Sequence, residues 1–240
     1  MLTLGRLSFL RRGTYTDLAS EYYDAARHPT CANFREASYH LLDQWLASFV
    51  RPDTKVLEVG AGASIVADWL SESQRTVARF FATDSSPDML AYSRAPIATT
   101  YYVVCDARQL SFISGGFDIV VSSLGDPYNT PSFWEEAARV LRVGGHVLFT
   151  APSFDWALKF RGATDTAEFV TSDGSEILVP SYVVPDHVQS QMIEAAGLVL
   201  VEGGTVEDTG LRATPRSPRL RPGGIVSGYL AEKLKSGPTR

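Results

Sequence analysis

The sequence has little cysteine: Cys31 and Cys105 are the only two in 240 residues. They stand far apart and outside any Cys-x-x-Cys pair, which gives neither a disulfide framework nor a cysteine metal site. Both thiols are expected to be reduced, in a cytoplasmic protein. Positive charge is also short. The chain sets 22 Lys and Arg against 27 Asp and Glu, a net charge of -5. A protein that lives on nucleic acid carries a basic surplus, because phosphate contacts dominate its affinity. The local exception is Arg212, Arg216, Arg219 and Arg221, set among prolines and read as a solvated loop. Long apolar runs are missing too. Arg6, Arg11 and Arg12 interrupt the first 13 residues, unlike a signal peptide, and no segment approaches the length of a membrane span. Metal, membrane and nucleic acid are therefore not expected as partners.

What is present suits a packed soluble domain: 45% hydrophobic and 20% charged residues, enough for one α/β domain with an appended cap. Residues 17–49 read as helical with a break at His28-Pro29-Thr30, the second piece spanning Phe34 to Phe49 at a period near 3.6. Lys55–Val59 is a short buried strand running into Gly60-Ala61-Gly62. Further strands are expected at Val77–Thr83, Thr100–Cys105, Phe117–Ser122 and His146–Thr150. Helices fall between them: Ser64–Ser73, Pro87–Arg94 and Pro131–Leu141, the last two opened by a cap residue followed by proline, and the last stopped by Gly144-Gly145. This alternation predicts βαβ units and a mainly parallel sheet covered on both faces. Beyond it come a β-rich segment over 168–184 with a turn at Ser172–Ser175, a helix at 185–196, a strand at 198–201 and a short closing element at 229–235.

The strongest local signal is Val56-Leu57-Glu58-Val59-Gly60-Ala61-Gly62. A buried strand ends in glycines where the backbone must turn sharply and approach a ligand. Asp84 ends the second strand, where a carboxylate can accept both hydroxyls of a ribose. Asp106 ends the third, within reach of an adenine amino group. With Glu58 they converge on the carboxyl edge of the sheet, where open α/β sheets bind ligands. A dinucleotide would need a third glycine where Ile65 stands, and a cation for its phosphates, which the loop lacks.

Taken together, these motifs resemble those of the class I S-adenosylmethionine-dependent methyltransferases, continuously from Lys55 to about Ser153. Glu58–Gly62 is similar to the family's first motif, with Ser64 where many members have a third glycine. Asp84 is similar to its ribose acid and Asp106-Ala107 to its adenine contact. Phe117–Ser122 and Ala138–Thr150 are similar to the fourth motif and the approach to the fifth strand. The resemblance implies a Rossmann-like α/β fold, seven strands in the order 3-2-1-4-5-7-6 with the last antiparallel. It divides the chain into a helical cap (1–50), a donor-binding core (51–153) and an acceptor-side, sheet-closing segment (154–240). It implies S-adenosylmethionine as cofactor and S-adenosylhomocysteine as product. The donor would be held by Tyr23, Glu58, Gly60, Ala61, Gly62, Asp84, Ser85, Met89, Asp106, Ala107 and Ser123, with Glu58 reaching its amino group.

A sulfonium donor is already electrophilic, so such an enzyme mostly aligns its reactants, and a base is needed only if the acceptor must lose a proton early. His28, in the interhelical break, is the candidate base. Tyr22, Asp126, Tyr128, Asn129 and His187 are the candidate acceptor contacts. Asp126-Pro127-Tyr128 resembles the Asp/Asn-Pro-Pro-Tyr of nucleic-acid amino-methylating enzymes but lacks one proline and sits beyond the strand end. The expected function is methylation of O or N on a small molecule, natural-product tailoring included, by a monomer or homodimer. RNA or protein methylation, and a non-catalytic ligand-binding or interaction protein, are the alternatives.

Overall fold

The computed structural model describes residues 11–93, 100–206 and 224–235; the four arginines at 212–221 lie outside the described residues. In chain order the elements begin with β1 (Arg11–Arg12), α1 (Tyr15–Leu18), α2 (Pro29–Phe49), β2 (Lys55–Val59), α3 (Ile65–Ser73) and β3 (Arg79–Asp84). Next come α4 (Pro87–Leu90), β4 (Thr100–Val104), β5 (Phe117–Ser122), α5 (Pro131–Val140), β6 (Leu141–Pro152) and α6 (Phe154–Phe160). They are followed by β7 (Thr166–Val170), β8 (Glu176–Pro180), α7 (Asp186–Ala195), β9 (Val199–Val206) and β10 (Val226–Glu232).

Seven strands form one sheet in the order β4-β3-β2-β5-β6-β10-β9. Pairing is parallel from β4 to β6, and β10 runs antiparallel to both β6 and β9. This is the expected 3-2-1-4-5-7-6 arrangement. Alternation along each strand sends neighbours to opposite faces. Val56, Ile119, Val121, Leu148 and Leu230 pack beneath α2 and α3 with Trp45, Trp69 and Leu70. Leu57, Val120, Phe149 and Ala231 pack on the other face against Phe133, Trp134 and Ile193 of α5 and α7. Both faces are therefore covered, as a mainly parallel sheet requires.

Several boundaries differ from the sequence reading. The break at 28–30 is the start of α2, with His28 at its N-cap and Pro29 in its first turn. That position tolerates proline because its N–H would be unused. The segment before it is a four-residue helix followed by turns. Gly144-Gly145 does not end a helix in a loop; α5 stops at Val140 and β6 runs from Leu141, with an irregular register against β5.

A second sheet, of order β1-β8-β7, was not foreseen. The β7–β8 hairpin matches the expected β-rich segment, but β1 joins it in parallel, Arg11 opposite Ile177. Leu18, Ala167, Ile177 and Val179 form its core, with Tyr15, Tyr22 and Phe169 packed against it. The strap of residues 11–23 and the hairpin thus make one layer.

α2 lies against β10 because Gly228 presents no side chain there. A Cβ at that position would fall 2.9 Å from both Leu41 Cδ1 and Trp45 Cη2. Overpacking of this kind costs about 1–3 kcal/mol. Gly228→Ala is expected to lower the melting temperature by roughly 2–10 °C; an unchanged melting curve contradicts the packing described.

Candidate functional site

A cavity of about 730 Å³ opens at the carboxyl ends of β2, β3, β4 and β5, a size typical of small-molecule sites. Its floor begins with the turn after β2. Gly60 and Gly62 adopt positive φ of 64° and 46°, and a Cβ at either would collide with a tyrosine hydroxyl, Tyr128 at Gly60 and Tyr23 at Gly62. These two positions therefore need glycine for conformation and for space.

The amides that follow are all taken by protein acceptors. Ala61 N–H donates to the Thr83 carbonyl (2.8 Å), Gly62 to Asp84 Oδ2 (3.0 Å), Ala63 to Tyr23 Oη (2.7 Å) and Ser64 to Ser93 Oγ (3.1 Å). Ile65 and Val66 donate to Glu58 Oε1 (3.0 and 3.4 Å), and Ala67 to Ser64 Oγ (2.9 Å). A phosphate-binding loop does the opposite, aiming free N–H groups and a helix N-terminus at its anion. Here the N-terminus of α3 already holds a carboxylate.

Asp84 lines the cavity. Besides Gly62 it accepts from Ser86 N–H (2.9 Å), and the Ser85 amide also draws on it; a carboxylate has about four acceptor sites, which leaves capacity for a ligand hydroxyl. Burial raises its pKa against the pull of those amides. Asp106 also lines the cavity, gripped by Arg108 through Nε (3.0 Å) and Nη2 (2.8 Å), and that pairing lowers its pKa. Gly60, Ala61, Ser85, Met89, Ala107, Ser123, Tyr22, Tyr23 and Tyr128 are likewise in the wall. Burial pushes the Tyr23 phenol up to about 12. Tyr128 Oη donates to the Val59 carbonyl (2.6 Å) and meets Ser122 Oγ (2.9 Å), so it braces the loop from below.

Other candidates are turned away. Glu58 is fully buried and outside the cavity wall; besides the α3 amides it accepts from the Ser64 hydroxyl. His28 packs edge-on to Phe169, ring centroids 5.5 Å apart, with Nε2 buried, unpartnered and 4.0 Å from Glu21. It does not touch the cavity. Asp126 is buried, accepts from Ser181 Oγ, and Ser181 in turn accepts from Arg161 Nη1 (2.6 Å). Asn129 is spent on Gln189 Oε1 (2.7 Å), the Tyr182 carbonyl (3.2 Å) and Trp134 Nε1 (3.0 Å). His187 is exposed on α7, away from the cavity. Asp126 and Asn129 thus set the wall that Pro127, Tyr128 and Tyr182 present, without contributing to it. Trp156, Phe154 and Phe160 also lie outside the wall.

Sequence reasoning missed Arg35. It lines the cavity, donates to the Ala63 carbonyl (2.5 Å) and Asp68 Oδ2 (2.7 Å), and lies 5.8 Å from the Tyr23 ring centre. It is the cation beside the glycine loop. Its place on α2, one residue after a core phenylalanine, carried no local signal.

Residues 57–149 match the family model described as a methyltransferase domain. A comparison with curated protein sequences gives no match. Among solved structures, the chain is similar to a methyltransferase from a complex with the Haloferax volcanii Trm112 methyltransferase activator. That match has 16% identity over 94% of this chain and 98% of that one, with a TM-score of 0.67. It is similar to a Methanosarcina mazei S-adenosylmethionine-dependent methyltransferase (14%, 80% and 98%, TM-score 0.61). It is also similar to one from Clostridium acetobutylicum (9%, 84% and 92%, TM-score 0.62). The fold is that of S-adenosylmethionine-dependent methyltransferases, and residues 57–149 match a methyltransferase domain.

Burial dominates at Glu58 and pushes its carboxyl from 4.5 up to about 7, against the Ser64 hydroxyl and the α3 amides. The folded chain therefore keeps this proton longer than the unfolded chain. Stability from this group is lost as pH rises from about 4.5 to about 7 and is level above, a change of roughly 3 kcal/mol. In urea unfolding at about pH 5 and pH 8, Glu58→Gln should remove that part of the slope; an identical slope in both proteins contradicts the assignment.

Proposed function

We propose that this class I methyltransferase-fold chain transfers the methyl group of S-adenosylmethionine to O or N of a small molecule. The observation that carries this reading is the saturated loop beside an unsaturated Asp84. The amides of Ala61 to Ala67 are already taken by protein acceptors, while the carboxylate keeps acceptor capacity for a ribose. The residues in the wall fit the donor. Asp84 would take the ribose hydroxyls, Asp106, Ala107, Ser85 and Met89 the adenine, and Arg35 the carboxylate at the other end, a charge-assisted contact. Gly60, Ala61 and Gly62 would pass beneath it, and Tyr23 and Ser123 would flank it.

Bound there, the donor supplies an electrophilic methyl group. The chain's own work is to orient both reactants and exclude water. Tyr15 and Tyr22 in the strap, with Pro180 and Tyr182 after the hairpin, roof the chamber. A roofed cavity of this size suits a compact acceptor better than a nucleic-acid groove does, and the acidic balance of the chain agrees. Binding insensitive to salt supports a small acceptor; a steep loss with salt supports RNA.

The second reading is action with a protein partner. The Haloferax methyltransferase was solved with an activator. In this chain, β4 forms one edge of the sheet and exposes Tyr101, Tyr102 and Val104, and an edge strand can be extended by a partner. A chain that binds the donor unaided counts against an obligate activator.

Calorimetric titration tests the proposal. S-adenosylmethionine and S-adenosylhomocysteine should bind the purified chain. Asp84→Ala should weaken S-adenosylhomocysteine and adenosine alike, by roughly 10- to 100-fold, the worth of one or two hydrogen bonds to a charged group. Arg35→Met should weaken S-adenosylhomocysteine by about tenfold and leave adenosine unchanged, since adenosine lacks the carboxylate. Equal effects of Arg35→Met on both ligands would contradict its role, and absence of any adenosyl binding would sink the donor assignment.

A further inference from the structure

The walls of the cavity differ in charge. Among the described residues, every charged side chain lining it comes from α2, α3 or the ends of β3 and β4. A second part of the wall is built from the strap (14–22), the loop after β5 (123–128) and the end of the hairpin (180–182). It offers threonine, tyrosine, serine, leucine and proline, with no carboxylate, histidine or lysine. Asp126 lies directly behind this wall, but its carboxylate is buried and engaged by Ser181, so it faces the protein and not the chamber.

Tyr15 and Tyr22 are adjoining phenols of that wall, which also presents Thr16, Tyr128 and Tyr182. Their rings meet edge to face, centroids 5.6 Å apart, and Phe169 backs both. No protein group among the described residues hydrogen-bonds either hydroxyl. Burial drives both phenols well above their ordinary range, with Cys31 and Asp126 adding to it. Burial favours their neutral form, in which each hydroxyl can donate a hydrogen bond.

The transfer itself has a charge balance that such a chamber selects. Methylating a neutral amine leaves an ammonium ion, and this wall has no anion to pair with it and no base to take its proton. A buried unpaired charge is costly. Methylating an oxyanion turns a cation and an anion into two neutral molecules, which a desolvated chamber favours. We propose that the acceptor is a ring compound with an acidic hydroxyl, a phenol or enol, methylated on oxygen while Tyr15 and Tyr22 donate to its oxyanion. The inference rests on the methyl-donor reading above. The hydroxyl proton leaves to water before transfer. The oxygen lone pair then forms the new C–O bond while the methyl C–S bond breaks, and that pair of electrons stays on sulfur.

The experiment uses the full chain, S-adenosylmethionine, a series of phenols of graded acidity including para-nitrophenol, and benzylamine, with S-adenosylhomocysteine release as the rate. Phenols should be methylated and benzylamine should not. The rise of kcat/KM with pH should level at each phenol's own pKa, so the plateau moves with the acceptor. Tyr15→Phe and Tyr22→Phe keep the rings. Each should lower kcat/KM roughly 10- to 100-fold without changing donor affinity by calorimetry. Each should also weaken uptake of para-nitrophenolate by the S-adenosylhomocysteine-bound protein, read from its visible absorbance. A plateau fixed at one pH for every phenol overturns the proposal in favour of a protein base, and its disappearance in Cys31→Ser would identify that base. Donor binding with transfer to benzylamine, or to none of the phenols, overturns the acceptor class alone. Absence of donor binding overturns the reading beneath it.

Discussion

The structure depends on how the turn after β2 satisfies its backbone. Seven consecutive amides, Ala61 to Ala67, meet acceptors supplied by the protein. Glu58, buried at the start of α3, accepts two of them. A buried amide left without a partner costs about 1–3 kcal/mol, so the set holds the turn in one conformation. That conformation places Asp84 at the cavity and brings Tyr23 from the strap onto Ala63. It also leaves none of the Ala61 to Ala67 amides free for a phosphate.

The second constraint lies above the cavity. The strap and the β7–β8 hairpin form one layer through β1, the Gly13 to Leu178 bond and the Tyr15–Tyr22–Phe169 cluster. Asp126, Ser181 and Arg161 tie the hairpin's end to the loop after β5 and to α6. This part of the cavity wall is therefore positioned by buried polar contacts that do not themselves face the chamber. Its neutrality follows from their being consumed internally.

The sheet was legible because its signals are local. Short apolar β-prone runs, cap-then-proline helix starts and acidic strand ends gave five strands of a mainly parallel sheet; their order in the sheet came from the family resemblance. The three-stranded sheet was not, because Arg11 pairs with Ile177, a contact with no local pattern on a two-residue strand. The cavity residues Asp84, Asp106 and Tyr23 were found from strand ends and the aromatic strap. Asp126 and Asn129 looked like acceptor contacts because their neighbours mimic a motif. Apart from Trp134, their partners Ser181, Gln189 and Tyr182 lie more than 50 residues away. His28 stood out at a break that proved to be a helix start. Glu58 carried the right residue type, but its direction was set by Ser64 and the α3 amides, and no spacing rule reports that.

The central claim is that this loop serves an adenosyl ligand without phosphates. Thermal unfolding of the purified chain with S-adenosylhomocysteine, NAD or inorganic pyrophosphate, each in large excess, tests it most directly. A ligand that binds only the folded state at about 100 times its dissociation constant adds roughly 2.7 kcal/mol, several degrees for a chain of this size. The account predicts that shift for S-adenosylhomocysteine and none for the other two. A shift with NAD or pyrophosphate matching that of S-adenosylhomocysteine would contradict it, because the loop would then have amides to give.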